Sequence, residues 1–165
     1  MPSPIIVQFN VQPYLRKFLI YESENKAEPL EFKRMHHFEM LLLPRLISNY
    51  RYRHELITDA HDTTGMVPTS IRLHYRRSVN GFLDFRYNHY LSPENERCFR
   101  NELDHFFKVH MTTFVHRNRL KAGCKRYDAI RLWMDELMID DDEVNFESLY
   151  RYYTRATEVK IVNKS

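Results

Sequence analysis

Glycine is scarce in this chain, with three residues in 165, whereas it makes up about 7% of an average protein. The two commonest phosphate-binding motifs, the P-loop and the Rossmann fingerprint, both depend on closely spaced glycines. Neither motif is present in the sequence. The scarcity of glycine therefore argues against the glycine-rich nucleotide-binding classes.

Cysteines and long apolar runs are scarce as well. The two cysteines, Cys98 and Cys124, lie far apart near the two ends of a predicted helix, which is unlike a disulfide framework. No apolar run approaches the roughly 18 residues that a membrane span needs. Residues 1–13 lack the basic and apolar regions of a signal peptide. We expect a soluble, cytoplasmic protein with free thiols and no membrane association.

Signatures of metal binding and catalysis are also missing. His54 and Glu55 are not followed by the second histidine of the HExxH zinc motif. His105, His110 and His116 are not spaced to share one helix face. No serine or cysteine lies in a recognisable nucleophile motif. We therefore expect no metal, no cofactor and no enzymatic activity.

The first part of the chain combines strand and helix patterns. Apolar residues at every second position of Ile5–Val11 predict a half-buried strand, and Pro13 suits the first position of a helix. A second helix pattern covers Met35–Ser48, in which Pro44 should end or kink the helix. These elements form a candidate N-terminal lobe, residues 1–57.

The middle of the chain predicts a linker and a hairpin. Thr58–Thr69 contains threonine, aspartate, glycine and proline without periodicity, which favours a loop. Within residues 70–90, alternating apolar residues flank Asn80–Gly81, a dipeptide that favours a tight hairpin turn. We expect this hairpin and the strand at Ile5–Val11 to form a small antiparallel sheet packed on helices.

A long helix follows. Ser92 suits its N-cap, Pro93 its first position and Gly123 its C-terminal stop, which gives a length of about 43 Å. We expect it to be the spine of the core. Its apolar stripe consists of Phe99, Leu103, Phe106, Phe107, His110, Met111 and Phe114.

Positive charge is concentrated at the C-terminal end of this helix and in the residues that follow it. Between His116 and Arg131 the only acid is Asp128, and the six basic residues are Arg117, Arg119, Lys121, Lys125, Arg126 and Arg131. Cations stabilise a helix C-terminus, which is one interpretation. The other is the basic surface of a DNA-binding unit.

Two amphipathic helix patterns come next, from about Tyr127 to Ile139 and after Val144, where Asn145 can cap the second helix. Their apolar residues recur at helical spacing: Ile130, Trp133, Met134 and Leu137 in the first, and Phe146, Leu149, Tyr150 and Tyr153 in the second. The pair suits either a helix-turn-helix or a plain helical hairpin.

The second helix of the pair has a polar face formed by Ser148, Arg151, Tyr152 and Arg155. Such residues can contact phosphates or base edges if the helix enters a DNA major groove. The break at Asp140–Glu143 has four acids and no glycine. It would repel phosphates unless it points away from the nucleic acid, while its charge complements the dipole of the following helix.

The run AIRLWMDELMIDDDEVNFESLYRYYTR, together with YLSPENERCFRNELDHFF before it, resembles a group of small, largely uncharacterised proteins carried near mobile elements in gut anaerobes. That group has a long helix leading into a motif of the form aI..fl...gI.eddi..etLyr.y.R. Met138 stands where the motif has a turn glycine. The resemblance implies a mobile-element setting and DNA binding. The matching residues are Ile130, Ile139, Leu149, Tyr150 and Arg155.

Together these patterns predict one mostly helical α+β domain, residues 1–165, with its helical C-terminal region at residues 92–158. We expect a duplex-DNA-binding protein that acts in the transcription regulation or mobility of a mobile element. The main alternative is a non-enzymatic protein-interaction module with a basic, tyrosine-rich surface, which binds a second copy or a partner protein. A metal-dependent nuclease that uses the carboxylates near Asp140 is a third class.

Overall fold

A computed structural model describes residues 5–33, 37–48, 64–73 and 89–162. The chain forms two compact units, residues 1–102 and residues 103–165, which we call the N-terminal and C-terminal units. The fold is α+β and mostly helical, as the sequence predicted.

The N-terminal unit begins with the predicted strand and helix. Strand β1 (Ile5–Val11) alternates between buried and more exposed residues. Helix α1 (Pro13–Glu22) has proline at its start and buries Leu15, Phe18 and Leu19. Both predictions are confirmed because each rests on a local pattern, period two in the strand and a proline at the first helical position.

The sheet around β1 is mixed. Strand β2 (Leu30–Glu31) and strand β4 (Val67–Leu73) complete it in the order β1-β4-β2. The β1–β4 pairing is antiparallel, as predicted, with Val7 opposite Ile71. The β2–β4 pairing is parallel, which corrects the expectation of a purely antiparallel sheet. The sequence missed β2 because two residues cannot show a periodic pattern.

The predicted linker ends earlier than expected. Strand β4 starts at Val67, and Thr69 is buried inside it, so the loop prediction is wrong for residues 67–69. Pro68 lies in the part of β4 that β2 does not pair, a position where a missing N–H is tolerated. Residues 58–63 of the linker and the Asn80–Gly81 turn lie outside the described residues.

The second predicted helix is shorter than its pattern. Helix α2 (His37–Leu42) gives way to a 3-10 turn (Leu43–Arg45) that contains Pro44, so proline ends the helix as expected. Strand β3 (Leu46–Ser48) follows and pairs antiparallel with strand β5 (His89–Leu91). The prediction of helix up to Ser48 is therefore wrong, because the chain becomes extended after the proline.

Helix α3 (Pro93–Ala122) has the predicted bounds. The Asn95 backbone N–H donates to Ser92 Oγ at 3.2 Å, and Gly123 has φ +64°, the left-handed conformation that ends many helices. The buried stripe consists of Phe99, Leu103, Phe107, Met111 and Val115. Val115 was missed, whereas Phe106, His110 and Phe114 are half-buried instead of fully buried.

The C-terminal unit contains the predicted helix pair, α4 (Arg126–Glu136) and α5 (Phe146–Val162). Trp133 is 2% exposed and its ring centre lies 6.0 Å from that of Phe107 and 5.1 Å from that of Phe114. The predicted apolar residues of α4 are all buried, and those of α5 are buried except for half-buried Tyr150. A shared aromatic and aliphatic core therefore holds the three helices of this unit together. None of the helices within the described ranges is long and apolar enough to cross a membrane.

Candidate nucleic-acid interface

The end of helix α4 is fixed by a Schellman motif. The N–H of Ile139 donates to the carbonyl of Met134 at 2.9 Å, and the N–H of Met138 donates to that of Asp135 at 3.0 Å. Met138 has φ +56°, the left-handed conformation usually taken by glycine. The backbone therefore makes a glycine-type turn although the residue is methionine.

The acidic break is stabilised within the C-terminal unit. Arg131 donates a hydrogen bond to Asp141, and the Glu143 carboxylate accepts the Asp140 backbone N–H at 3.1 Å. Asn145 Oδ1 accepts the Ser148 N–H at 3.0 Å, which confirms the predicted cap of α5. The break therefore contains a charge pair with α4 as well as a helix cap.

The Arg131 side chain contacts two aromatic rings and a carboxylate. Its guanidinium carbon lies 4.1 Å from the centre of the Phe146 ring and 5.6 Å from that of Tyr127. The hydrogen bond to Asp141, followed by that to the Tyr127 hydroxyl, raises the pKa of Arg131 above its ordinary value. Arginine is protonated at any physiological pH in any case. The side chain thus connects α4 to the start of α5 and to the acidic break.

Arg126 and Arg119 also make internal contacts. Arg126 donates to Thr154 Oγ1 at 2.9 Å, and its guanidinium carbon lies 5.6 Å from the centre of the Tyr153 ring. Arg119 donates to the Tyr153 hydroxyl at 3.3 Å. These two arginines connect α5 to α4 and to α3, so part of the predicted basic cluster stabilises the helix packing.

The other predicted cations of this cluster are exposed. Arg117 and Lys121 are four residues apart near the end of α3, and Lys125 lies between Gly123 and the start of α4. None of the three side chains forms a hydrogen bond or ion pair with the described part of the chain. Arg117 and Lys121 share one side of α3 because residues four apart are neighbours on a helix.

The polar face of α5 is mostly exposed. Ser148, Arg151 and Arg155 are exposed, whereas Tyr152 is half-buried, with Lys108 Nζ 5.6 Å from the centre of its ring. Arg151 lies 4.0 Å from the Glu147 carboxylate, and both side chains are about 70% exposed (72% and 67%). Such a pair contributes little to stability, so Arg151 is available to a ligand.

The connection between α4 and α5 comprises residues 137–145. A DNA-binding helix-turn-helix joins its helices with a turn of about three or four residues. The Schellman motif, the acidic break and the Asn145 cap account for the additional length. The structured connection of this pair is therefore longer than the turn of a typical helix-turn-helix.

The carboxylates of the break do not form a metal centre. Asp140, Asp141 and Asp142 are exposed, and the described ranges contain no group of three or more histidine, cysteine, aspartate or glutamate side chains arranged to hold a metal ion.

Sequence reasoning found the charged residues but missed some of their partners. Thr154, which accepts from Arg126, and Lys108, which lies over Tyr152, were not identified. Helical periodicity places Thr154 beside Tyr150, whose carbonyl it contacts, but carries no signal for an arginine on another helix.

Comparisons with known proteins yield no relative. No protein-family model, curated protein or solved structure matches this chain.

Proposed function

We propose that this chain binds nucleic acid, and duplex DNA in particular, through the C-terminal unit. The observation that carries the proposal is the group of exposed cations Arg117, Lys121 and Lys125, whose side chains have no partner among the described residues. Unpaired cations close together bind phosphates by releasing condensed counterions. We call these three residues the basic corner.

Helix α5 would supply a second contact. Ser148, Arg151 and Arg155 share its exposed face, and side chains of these types hydrogen-bond phosphates and base edges. In this arrangement the basic corner binds the phosphate backbone of the DNA, and α5 lies in or along the major groove. The exposed acids of the break would then point away from the phosphates.

Arg119, Arg126 and Arg131 have a different role in this proposal. Each contacts a residue of α5 or of the acidic break. Their substitution should therefore lower the stability of the fold more than the affinity for DNA. The setting that the sequence analysis expects, regulation or mobility of a mobile element, is part of this proposal.

The proposal is tested by the anisotropy of fluorescent duplex DNA titrated with the full chain at several salt concentrations. We expect log K to fall linearly with log salt, with a slope of about −0.9 per contacted phosphate. Replacing Lys121 and Lys125 with glutamine should weaken binding and reduce the slope by about 0.9 for each phosphate that is no longer neutralised. The matched control replaces Lys33 and Arg97, two exposed cations of the N-terminal unit, and should bind like the natural chain.

A further variant tests the role of α5. Arg151→Gln with Arg155→Gln should reduce discrimination between DNA sequences if this face reads bases. Equal weakening on all sequences would restrict α5 to backbone contacts. Absence of binding even at low salt would overturn the proposal.

Exposed apolar side chains favour protein binding as the second candidate function. Leu120 is 73% exposed and Met138 79% exposed, with Leu132 at 43%. These residues lie near the end of α3, on α4 and directly after α4. Exposed apolar side chains mark interaction surfaces when they form one contiguous patch. A protein partner bound there would replace DNA as the ligand of the C-terminal unit, and its affinity would depend less on salt.

A further inference from the structure

One exposed side of helix α3 near its C-terminus combines positive charge with a leucine. His116, Arg117, Leu120 and Lys121 are all exposed, and their spacing places them on one side of the helix. Leu120 is the most exposed of the apolar residues of α3 in the described chain, at 73%. We call these four residues the basic stripe.

Helix α4 presents a stripe of opposite charge. Four exposed residues share its outer side because their positions follow the helical repeat: Asp128, Leu132, Asp135 and Glu136. Leu132 lies in the middle and is 43% exposed. None of the three carboxylates has a hydrogen bond or ion pair with the described ranges. We call these residues the acidic stripe.

We propose that the basic stripe of one molecule docks on the acidic stripe of a second copy of this chain. Each stripe has an exposed leucine beside charges of one sign, so the contact pairs Leu120 with Leu132 while opposite charges surround both. Charge complementarity of this kind steers association and fixes orientation. The occupant is therefore another copy of the C-terminal unit.

The charges also restrict the symmetry of the contact. A two-fold contact of either stripe with itself would place like charges opposite one another, which is unfavourable. Docking of a basic stripe on an acidic stripe is either reciprocal, in a two-fold dimer, or head-to-tail, in which case each molecule keeps one stripe free for a further copy. Head-to-tail contacts would lead to rings or open chains of molecules.

The small size of the two stripes determines the strength of the contact. Standard interfaces bury about 1,200–2,000 Å² in total, and two single-helix stripes lie at or below the low end of that range. We therefore expect reversible association that strengthens with protein concentration and weakens with salt, because exposed charges are screened.

This inference goes beyond the proposed DNA binding and does not depend on it. Arg117 and Lys121 belong both to the basic stripe and to the basic corner, so DNA and a second copy would compete for them. The acidic stripe takes part in self-association alone. Its substitution therefore separates the two activities.

Sedimentation velocity of the full chain over a range of concentrations is the first test. At about 0.01 M ionic strength the Debye length is about 30 Å, and the average sedimentation coefficient should rise with protein concentration. At about 1 M the Debye length is about 3 Å, and the chain should sediment as a monomer. A natural chain that stays monomeric at every concentration and both ionic strengths overturns the inference.

Charge reversal provides the specific test. One variant carries Asp135→Lys and Glu136→Lys, and the other carries Arg117→Glu and Lys121→Glu; each should be monomeric by itself. Mixed together they should associate, because the first offers two basic stripes and the second two acidic ones. Failure of the mixture to associate, with both variants folded by circular dichroism, overturns the inference.

Two controls complete the design. Lys33→Glu with Arg97→Glu gives the same change of net charge as the Arg117→Glu and Lys121→Glu variant, but at residues that belong to neither stripe. This control should associate like the natural chain; if it also abolishes association, stripe docking is wrong. Leu120→Ser changes no charge and should weaken association even if the Arg117→Glu and Lys121→Glu variant fails to fold. Unchanged association of a folded Leu120→Ser variant overturns the proposed leucine contact and with it the inference.

The Asp135→Lys and Glu136→Lys variant also keeps the basic corner intact. It should lose self-association and retain DNA binding, which distinguishes a failure of this inference from a failure of the proposed function.

Discussion

Arg126 at the start of α4 donates a hydrogen bond of 2.9 Å to Thr154 Oγ1 in the middle of α5. The same guanidinium lies 5.8 Å from the ring centre of Tyr150 and 5.6 Å from that of Tyr153. One side chain from the basic cluster thus joins two helices through a hydrogen bond and aromatic contacts. The cluster therefore contains structural cations as well as exposed ones.

Arg126→Gln should lower the free energy of unfolding by about 1–2 kcal/mol, because it removes a hydrogen bond from a charged donor and two cation–π contacts. Urea unfolding followed by circular dichroism measures the change. A double-mutant cycle with Thr154→Val isolates the hydrogen bond. Additive effects of the two substitutions would contradict a direct link between them.

Trp133→Ala should lower the free energy of unfolding by about 3–5 kcal/mol, since it empties the space between α3 and α4 that the indole fills. Leu132→Ala is the matched control, because Leu132 is the neighbouring residue of α4 and is 43% exposed. Denaturant unfolding of the two variants should differ by at least about 2 kcal/mol. Similar losses would show that the indole is not a core anchor.

The fold was predictable where a local sequence signal marks the ends of an element or repeats along it. Ser92 and Gly123 define α3, and strict alternation defines β1. Strand β2 is too short for a pattern and depends on pairing with Ile71 and Arg72, which are far away in the sequence. Strand β3 follows Pro44 within an apolar run that suits helix as well as strand, so sequence periodicity could not decide between them.

The candidate site was predictable only as a set of charges. The sequence identifies Arg119, Arg126 and Arg131 as basic, like Lys121 and Lys125. Whether a given cation is free depends on a partner elsewhere in the chain, for example Phe146 for Arg131. Helical periodicity gives the side of each helix that a residue occupies but not the residue opposite it on another helix.

Met138→Gly should raise the free energy of unfolding by about 0.5–1 kcal/mol. The left-handed conformation costs a residue with a Cβ about 1–2 kcal/mol, and glycine removes that cost but adds about 0.5–1 kcal/mol of conformational entropy in the unfolded chain. The first effect is the larger one. Met138 is 79% exposed, so its side chain contributes little to core packing.

Met138→Ala is the control for this prediction, because alanine shortens the side chain and keeps the Cβ. It should not be stabilising, and thermal unfolding of both variants beside the natural chain measures the difference. Equal stabilisation by glycine and alanine would show that the side chain, and not the backbone conformation, is responsible.

Asp141 and Asp142 carry the same charge but have different surroundings. Asp141 accepts a hydrogen bond from Arg131, whereas the Asp142 side chain is exposed and has no hydrogen bond or ion pair with the described residues. Asp141→Asn should therefore lower the midpoint of thermal unfolding, because it weakens the link between α4 and the acidic break. Asp142→Asn should leave the midpoint nearly unchanged.

The same pair of variants tests how the acidic break affects DNA binding. Each substitution removes one negative charge, so both should reduce the long-range repulsion of phosphates equally. Both variants should therefore bind duplex DNA more tightly than the natural chain at low salt, and this gain in affinity should disappear at high salt. Fluorescence anisotropy measures both affinities. Tighter DNA binding by the Asp141→Asn variant alone would indicate that Arg131, released from Asp141, contacts the phosphates directly. Complete loss of binding in either variant would contradict the orientation proposed here and make these carboxylates part of the binding surface.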